Sequence, residues 1–153
     1  MSAVEVSKSK PFSAETAENH EDVEKIWSVK ALHHAETFFK LISTIDAKKM
    51  RLTKMDDDLY CEFKEEFPEI DVENVKEFEQ FKCDKAKEKW RNWITKGNYE
   101  AKVADFNYGT LLRNRSAEDY GPENAFFVTR IQFLAVEVAR NREGYNSIHS
   151  RKK

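Results

Sequence analysis

The segment Arg130–Gly144 sets the strongest limit on how this chain can fold. Ile131, Leu134, Ala135 and Val138 form one apolar face of a helix, while Phe133 and Val136 project from the opposite side. A helix apolar on both sides belongs in the middle of a domain, with other elements packed around it. Gly144 suits the position just past its end, and Arg140 and Arg142 place cations where the macrodipole favours them. The remaining polarity is concentrated, since Arg130, Glu137 and Asn141 fall within about 40° of one another at 100° per residue. Such a strip reads in two ways: as a solvated or structural Arg–Glu stripe bridging to a neighbouring hairpin, or as a contact surface for a partner. Arg142 rotates onto the face of Ile131 and Val138, where its charge has to be paired, cap carbonyls or escape at the helix end; we read it as a structural cap.

Other segments also repeat at the helical period. Val23, Trp27, Ala31, His34, Phe38, Leu41, Ile42 and Ile45 share one side of a helix over residues 22–45, about 36 Å long at 1.5 Å per residue. Thr53-Lys-Met-Asp56 has the form of a capping box with Asp in place of Glu. It opens a second helix with Met55, Leu59, Phe63 and Phe67 inward, ending at Pro68. Asp71 predicts a short third helix with Val72, Val75, Phe78 and Phe81 inward, and Asp84 a fourth carrying Ala86, Trp90, Trp93 and Ile94 before the Gly97-Asn98 stop. Asn107–Arg113 and Ala125–Thr129 fit strands or irregular segments, and we read a small hairpin over Tyr108–Arg113 and Phe126–Thr129 that turns through Arg115–Pro122.

The expected fold class is mainly α, a compact multi-helix orthogonal bundle with one short β-hairpin. Residues 1–20 lack periodicity and predict a disordered arm, residues 21–146 a single helical domain, and residues 147–153 a frayed basic tail. A chain of 153 residues that is 40% hydrophobic, with eleven Phe and three Trp, can fill a core of that size.

Charge and cysteine usage narrow the functional classes. The 26 basic and 28 acidic side chains nearly cancel, which predicts protein partners and neither direct nucleic-acid nor membrane binding. The N-terminus carries no apolar h-region, and no segment approaches the roughly 20 apolar residues that cross a bilayer, so a cytoplasmic location is expected. Cys61 and Cys83 lack CxxC spacing and are read as free thiols. On the same compartment argument the Asn114-Arg-Ser116 acceptor sequence is expected to stay unglycosylated.

Recognisable reactive motifs are missing. The glycines at 97, 109, 121 and 144 form neither GxGxxG nor GxxxxGK[ST], and there is no GxSxG elbow. His33 and His34 point apart on a rigid helix and lack the i, i+4 spacing of a zinc site, so His34 is read as a hydrogen-bonded core histidine. Asp56, Asp57 and Asp58 project about 100° apart and serve better to offset a helix dipole than to converge on a cation. No catalytic residue, cofactor or metal is predicted. Trp90, Trp93 and the phenylalanines are read mostly as core, with an exposed aromatic patch as an alternative gripping surface.

Two stretches carry a family likeness: Asp105-Phe-Asn-Tyr-Gly-Thr-Leu-Leu-Arg113 and the run from Arg130 to Asn146. His34-Ala35-Glu36, Lys40–Ser43, Leu52–Lys54, Asp56-Asp57, Tyr60, Glu62-Phe63 and Ala86–Arg91 extend it across roughly Trp27 to Asn146. With these residues the chain resembles the polysaccharide biosynthesis domain-containing protein family. The resemblance implies a mainly helical fold and a dedicated chaperone that protects the nascent GTP-binding domain of translation elongation factor 1-alpha. Implied partners are that nascent chain and ribosome-associated nascent-chain factors, with the chaperone itself a monomer. Arg130, Glu137, Arg140, Asn141 and Arg142 are the expected partner contacts. The alternatives are an enzyme or accessory of polysaccharide modification, which the family's inherited name suggests, and a general adaptor for mature translation factors.

Overall fold

Helix α1 (Glu21–Thr44) buries Ala31, Ala35, Phe38 and Ile42, a stripe at i, i+4, i+7 and i+11. The computed structural model describes residues 21–151, with side chains from residue 29 onward. The side chains of Val23 and Trp27, and the arm expected over residues 1–20, lie outside the described residues. Leu41 and Ile45, expected inward, are 42% and 45% exposed. The stripe is narrower than the hydrophobic face of the sequence, and Leu41 sits about 100° around the helix from Ile42.

A 3-10 turn (Ala47–Lys49) leads to α2 (Asp56–Glu66). The expected capping box forms in altered shape. Asp56 accepts from the Thr53 and Leu52 amides, each at 2.8 Å, while Thr53 Oγ1 accepts from the Met55 amide at 2.9 Å. Leu59, Phe63 and Phe67 are buried as their four-residue spacing requires. After Pro68 the chain departs from expectation, because residues 71–76 form no helix. Val75 N–H donates to Asn114 O and Ser116 N–H to Glu73 O, both at 2.9 Å, around an antiparallel bridge between Asn74 and Arg115. Backbone groups satisfied across the chain cannot also form helical bonds. A π-helical turn (Phe78–Lys82) follows, burying Phe81 and leaving Phe78 70% exposed.

Helix α3 (Asp84–Lys96) and the short α4 (Tyr99–Lys102) complete an aromatic cluster. The Trp90 ring stacks between Phe67 at 4.1 Å and Phe81 at 5.4 Å, and Trp93 meets Trp90 edge-on at 5.6 Å. Both indole N–H groups are satisfied by carbonyls, Trp90 by Gln80 at 2.7 Å and Trp93 by Glu62 at 3.2 Å.

The hairpin is present as expected. Strand β1 (Gly109–Leu112) pairs antiparallel with β2 (Phe126–Thr129), Gly109 opposite Thr129 and Leu112 opposite Phe126. Thr129 then caps α5 (Arg130–Glu143) in a capping box with Gln132, and Gly144 ends it at φ 90°, a conformation that suits glycine. Helix α5 packs against α2 and both strands, and α1 packs against β1. The central helix inferred from sequence is therefore the core of the molecule. The described part of the segment expected to fray is ordered: α6 (Ser147–Arg151) docks on α1 and buries Ser147 and His149.

Candidate functional site

Strand β1 delivers Arg113 from its C-terminal end into the interior, where Glu137 and Arg140 of α5 meet it, all three with side chains 0% exposed. Arg113 Nη2 lies 3.2 Å from Glu137 Oε1, and Arg140 Nη1 lies 3.0 Å from Glu137 Oε2. Two buried guanidiniums on one carboxylate require further partners, because an unpaired charge in the interior costs several kcal/mol. Backbone carbonyls supply them. Arg113 donates to Ser116 O at 2.8 Å, and Arg140 donates to Val72 O at 2.6 Å and to Arg113 O at 2.8 Å.

Amide side chains close the network. Asn146 Oδ1 accepts from Arg113 at 2.7 Å, while its Nδ2 donates to Glu137 Oε1 at 3.0 Å and Asn141 Oδ1 at 2.7 Å. His149 Nε2 of α6 lies 2.7 Å from Ser116 O. Burial by itself would raise the Glu137 carboxyl, but Arg113 and Arg140, helped by the Asn146 amide, hold it below the usual carboxylate range. The cluster joins the end of β1, the 113–118 loop, Val72, α5 and α6 at one point, a fastening that presents no reactive group to solvent.

This geometry corrects the expected contact strip. Glu137, Arg140 and Asn141 are inside the folded chain and cannot touch a partner directly. A helical wheel shows that polar residues share a side and not whether that side faces water or a second polar element. Arg130 is half-buried. Among the described residues Arg142 caps no carbonyl; it pairs with Asp57 at the start of α2 and lies 5.6 Å from the centre of the Tyr60 ring. Arg113, Asn146 and His149 went unrecognised as members of the cluster, although Arg113 and Asn146 end the two stretches that carry the family likeness.

His34 is a hydrogen-bonded histidine of the interior face, as expected. Its Nδ1 is 2.7 Å from Thr110 Oγ1, and its ring meets Phe133 edge-on at 5.1 Å. Burial, then the charge of Arg130, lowers its pKa, against a weaker opposing pull from Glu137. Cys61 and Cys83 are free thiols. Among the described residues no group of three or more His, Cys, Asp or Glu could hold a metal ion, and no helix is long and apolar enough to cross a membrane.

An accessible concavity lies elsewhere among the described residues. A cleft of about 780 Å³ opens between α3 and the side of β2 away from β1, with Trp90, Ile94 and Phe106 among its apolar lining and Lys82, Lys87 and Arg91 among its charges. Arg130 N–H donates to Tyr108 O at 2.7 Å, so alternation along the ladder turns the Phe127 carbonyl away from β1, where it accepts a hydrogen bond from Lys82 Nζ. Trp90, which lines the cleft, and Trp93 are 2% and 4% exposed, so both belong to the core and not to the exposed aromatic patch considered from sequence.

Fold and polar core together define a class: a mainly helical protein whose central helix is locked to a two-stranded hairpin through a buried Arg–Glu–Arg cluster. The chain belongs to the PBDC1 protein family, whose model matches residues 23–151 and so includes α6. It is 49% identical to the PBDC1 homolog of Saccharomyces cerevisiae over 138 residues, 88% of this chain and 93% of that protein. Human Protein PBDC1 is 46% identical over 143 residues, 94% of this chain and 60% of the human protein. The solution NMR structure of protein yst0336 from Saccharomyces cerevisiae matches with a TM-score of 0.79 at 44% identity, covering 93% of this chain and 98% of that one.

Proposed function

We propose that this chain is a co-translational chaperone, a cytoplasmic and monomeric binding protein that holds the nascent GTP-binding domain of translation elongation factor 1-alpha and releases it as that domain folds. The observation that carries the reading is family membership through residues 23–151, since the resemblance implies this role. The fold is compatible with it: the buried cluster fastens the hairpin to α5, and an open, partly apolar cleft is left beside that rigid frame. The chain needs no nucleotide of its own in this scheme. Release requires only that affinity differ between unfinished and finished client, and GTP bound in the client's own site can supply the difference.

The test is isolation of the tagged protein with ribosome-bound nascent chains, followed by sequencing of the translated messages. Enrichment for elongation factor 1-alpha after its GTP-binding domain has emerged, with loss of binding once the released domain is loaded with GTP, is the expected result. Equal retention of the finished factor would make the protein a general adaptor. No enrichment, together with altered polysaccharide on deletion of the protein, would favour the carbohydrate reading.

A further inference from the structure

We propose that the cleft between α3 and β2 is the client-gripping surface, and that its ligand is an unfolded segment with acidic side chains beside an aliphatic or aromatic anchor. The proposal rests on the chaperone reading and identifies where, and by what chemistry, the client is held. The volume of about 780 Å³ lies within the range of ligand sites and accommodates several side chains of a chain segment, but not a folded domain.

Charge indicates the occupant. Lys87 and Arg91 stand one helical turn apart on the cleft side of α3, with Ile94 a further turn along. The neighbouring Lys89 and Lys96 are neutralised by Glu69 and Glu66, whereas Lys87 and Arg91 enter no ion pair among the described residues. A cationic wall on a chain of net charge −2 is a local feature: the body repels an acidic segment and this wall attracts it, which orients the approach. Glu77 and Glu100 in the same lining oppose a continuous phosphate backbone, favouring a peptide with spaced acids over a nucleic acid.

The apolar part of the ligand has a matching surface. Ile94 and Phe106 are partly buried residues that line the cleft and pack on the core, so an anchor placed there extends an existing apolar contact. Phe78, 70% exposed, follows Glu77 of the lining directly in sequence and adds a large apolar side chain nearby. A client that finishes folding buries its own anchors, and the cleft then loses its ligand.

The experiment uses the full chain with Lys87→Glu and Arg91→Glu combined, and a control with Lys30→Glu and Lys40→Glu on exposed positions of α1. Both are assayed for co-isolation with ribosome-bound nascent elongation factor 1-alpha and for binding of fluorescein-labelled peptides tiling its GTP-binding domain. The cleft variant is expected to lose at least about fivefold in both assays and the control nothing, as reversal of complementary charges predicts. Peptides with Asp and Glu replaced by Asn and Gln should bind the wild-type chain at least about fivefold more weakly and bind the cleft variant no worse than their acidic parents. Loss confined to the α1 control overturns the proposal while leaving the chaperone reading intact. Failure of the wild-type chain to co-isolate overturns both. Ribonuclease-sensitive capture, with homopolymer RNA binding lost in the cleft variant, overturns the peptide ligand in favour of nucleic acid.

Discussion

Arg113 and Glu137, twenty-four residues apart in sequence, meet at 3.2 Å with both side chains fully buried, and Arg140 closes on the same carboxylate at 3.0 Å. Removing the single anion therefore leaves two guanidiniums in the interior without their counter-charge. Glu137→Gln should lower unfolding free energy by about 3–5 kcal/mol, the cost of breaking a buried pair. Urea unfolding followed by circular dichroism measures it; a loss under about 1 kcal/mol would show the cluster to be better solvated than its burial implies. Arg142→Ala, which breaks a surface pair with Asp57 and a contact with the Tyr60 ring, should cost no more than about 1 kcal/mol.

The same carboxylate gives the protein an acid limit. Its folded pKa is lowered, so its contribution is complete above the ordinary carboxylate value of about 4.3 and is lost as pH falls through the folded value. Midpoints measured from pH 6 downward should fall more steeply for the wild type than for Glu137→Gln. Parallel curves would remove Glu137 from the acid response.

His34 acts in the milder range. Its folded pKa is also lowered, but for a base this means that the unfolded chain binds a proton that the folded chain refuses. Stability is then full above the unfolded value of about 6.5 and declines as pH drops from there toward the folded value. His34→Gln should flatten that part of the curve, read from urea midpoints between pH 7 and pH 5. An unchanged slope would assign the response to another group.

Packing on α1 separates two residues that look alike in sequence. Phe38 is 4% exposed and meets Phe133 edge-on at 5.0 Å, so Phe38→Ala should cost about 3–5 kcal/mol. Leu41 is 42% exposed, and Leu41→Ala should stay within about 0.5 kcal/mol. Equal losses at the two positions, by urea unfolding, would place Leu41 in the core.

Truncation after Asn146 tests whether α6 is structural. It removes His149 and Ser147, whose Oγ donates to Asp46 at 2.7 Å, and opens the Arg113 cluster to solvent. A loss of about 1–3 kcal/mol is expected from the stranded polar partners. A midpoint equal to that of the full chain would return this segment to the status of a tail.

Local pattern alone specified a good part of this protein. The double-sided apolar segment from Ile131 to Val138 required a central helix, the spacing of Leu59, Phe63 and Phe67 required α2, and the short apolar runs beside Gly109 and Thr129 suited a hairpin. These depend on a period and its boundaries, which neighbouring residues carry. What tertiary structure decided was the meaning of polar residues. Glu137 and Asn141 read, with Arg130, as a solvated or structural stripe or as a partner surface until β1 brought Arg113 against Glu137, and Ser147–Arg151 read as a tail until α1 gave it a surface. Val72 and Val75 looked helical until Asn114 took the Val75 amide. In each case the deciding partner lay tens of residues away, and a charge or backbone amide is placed by whichever partner satisfies it, information no local window contains.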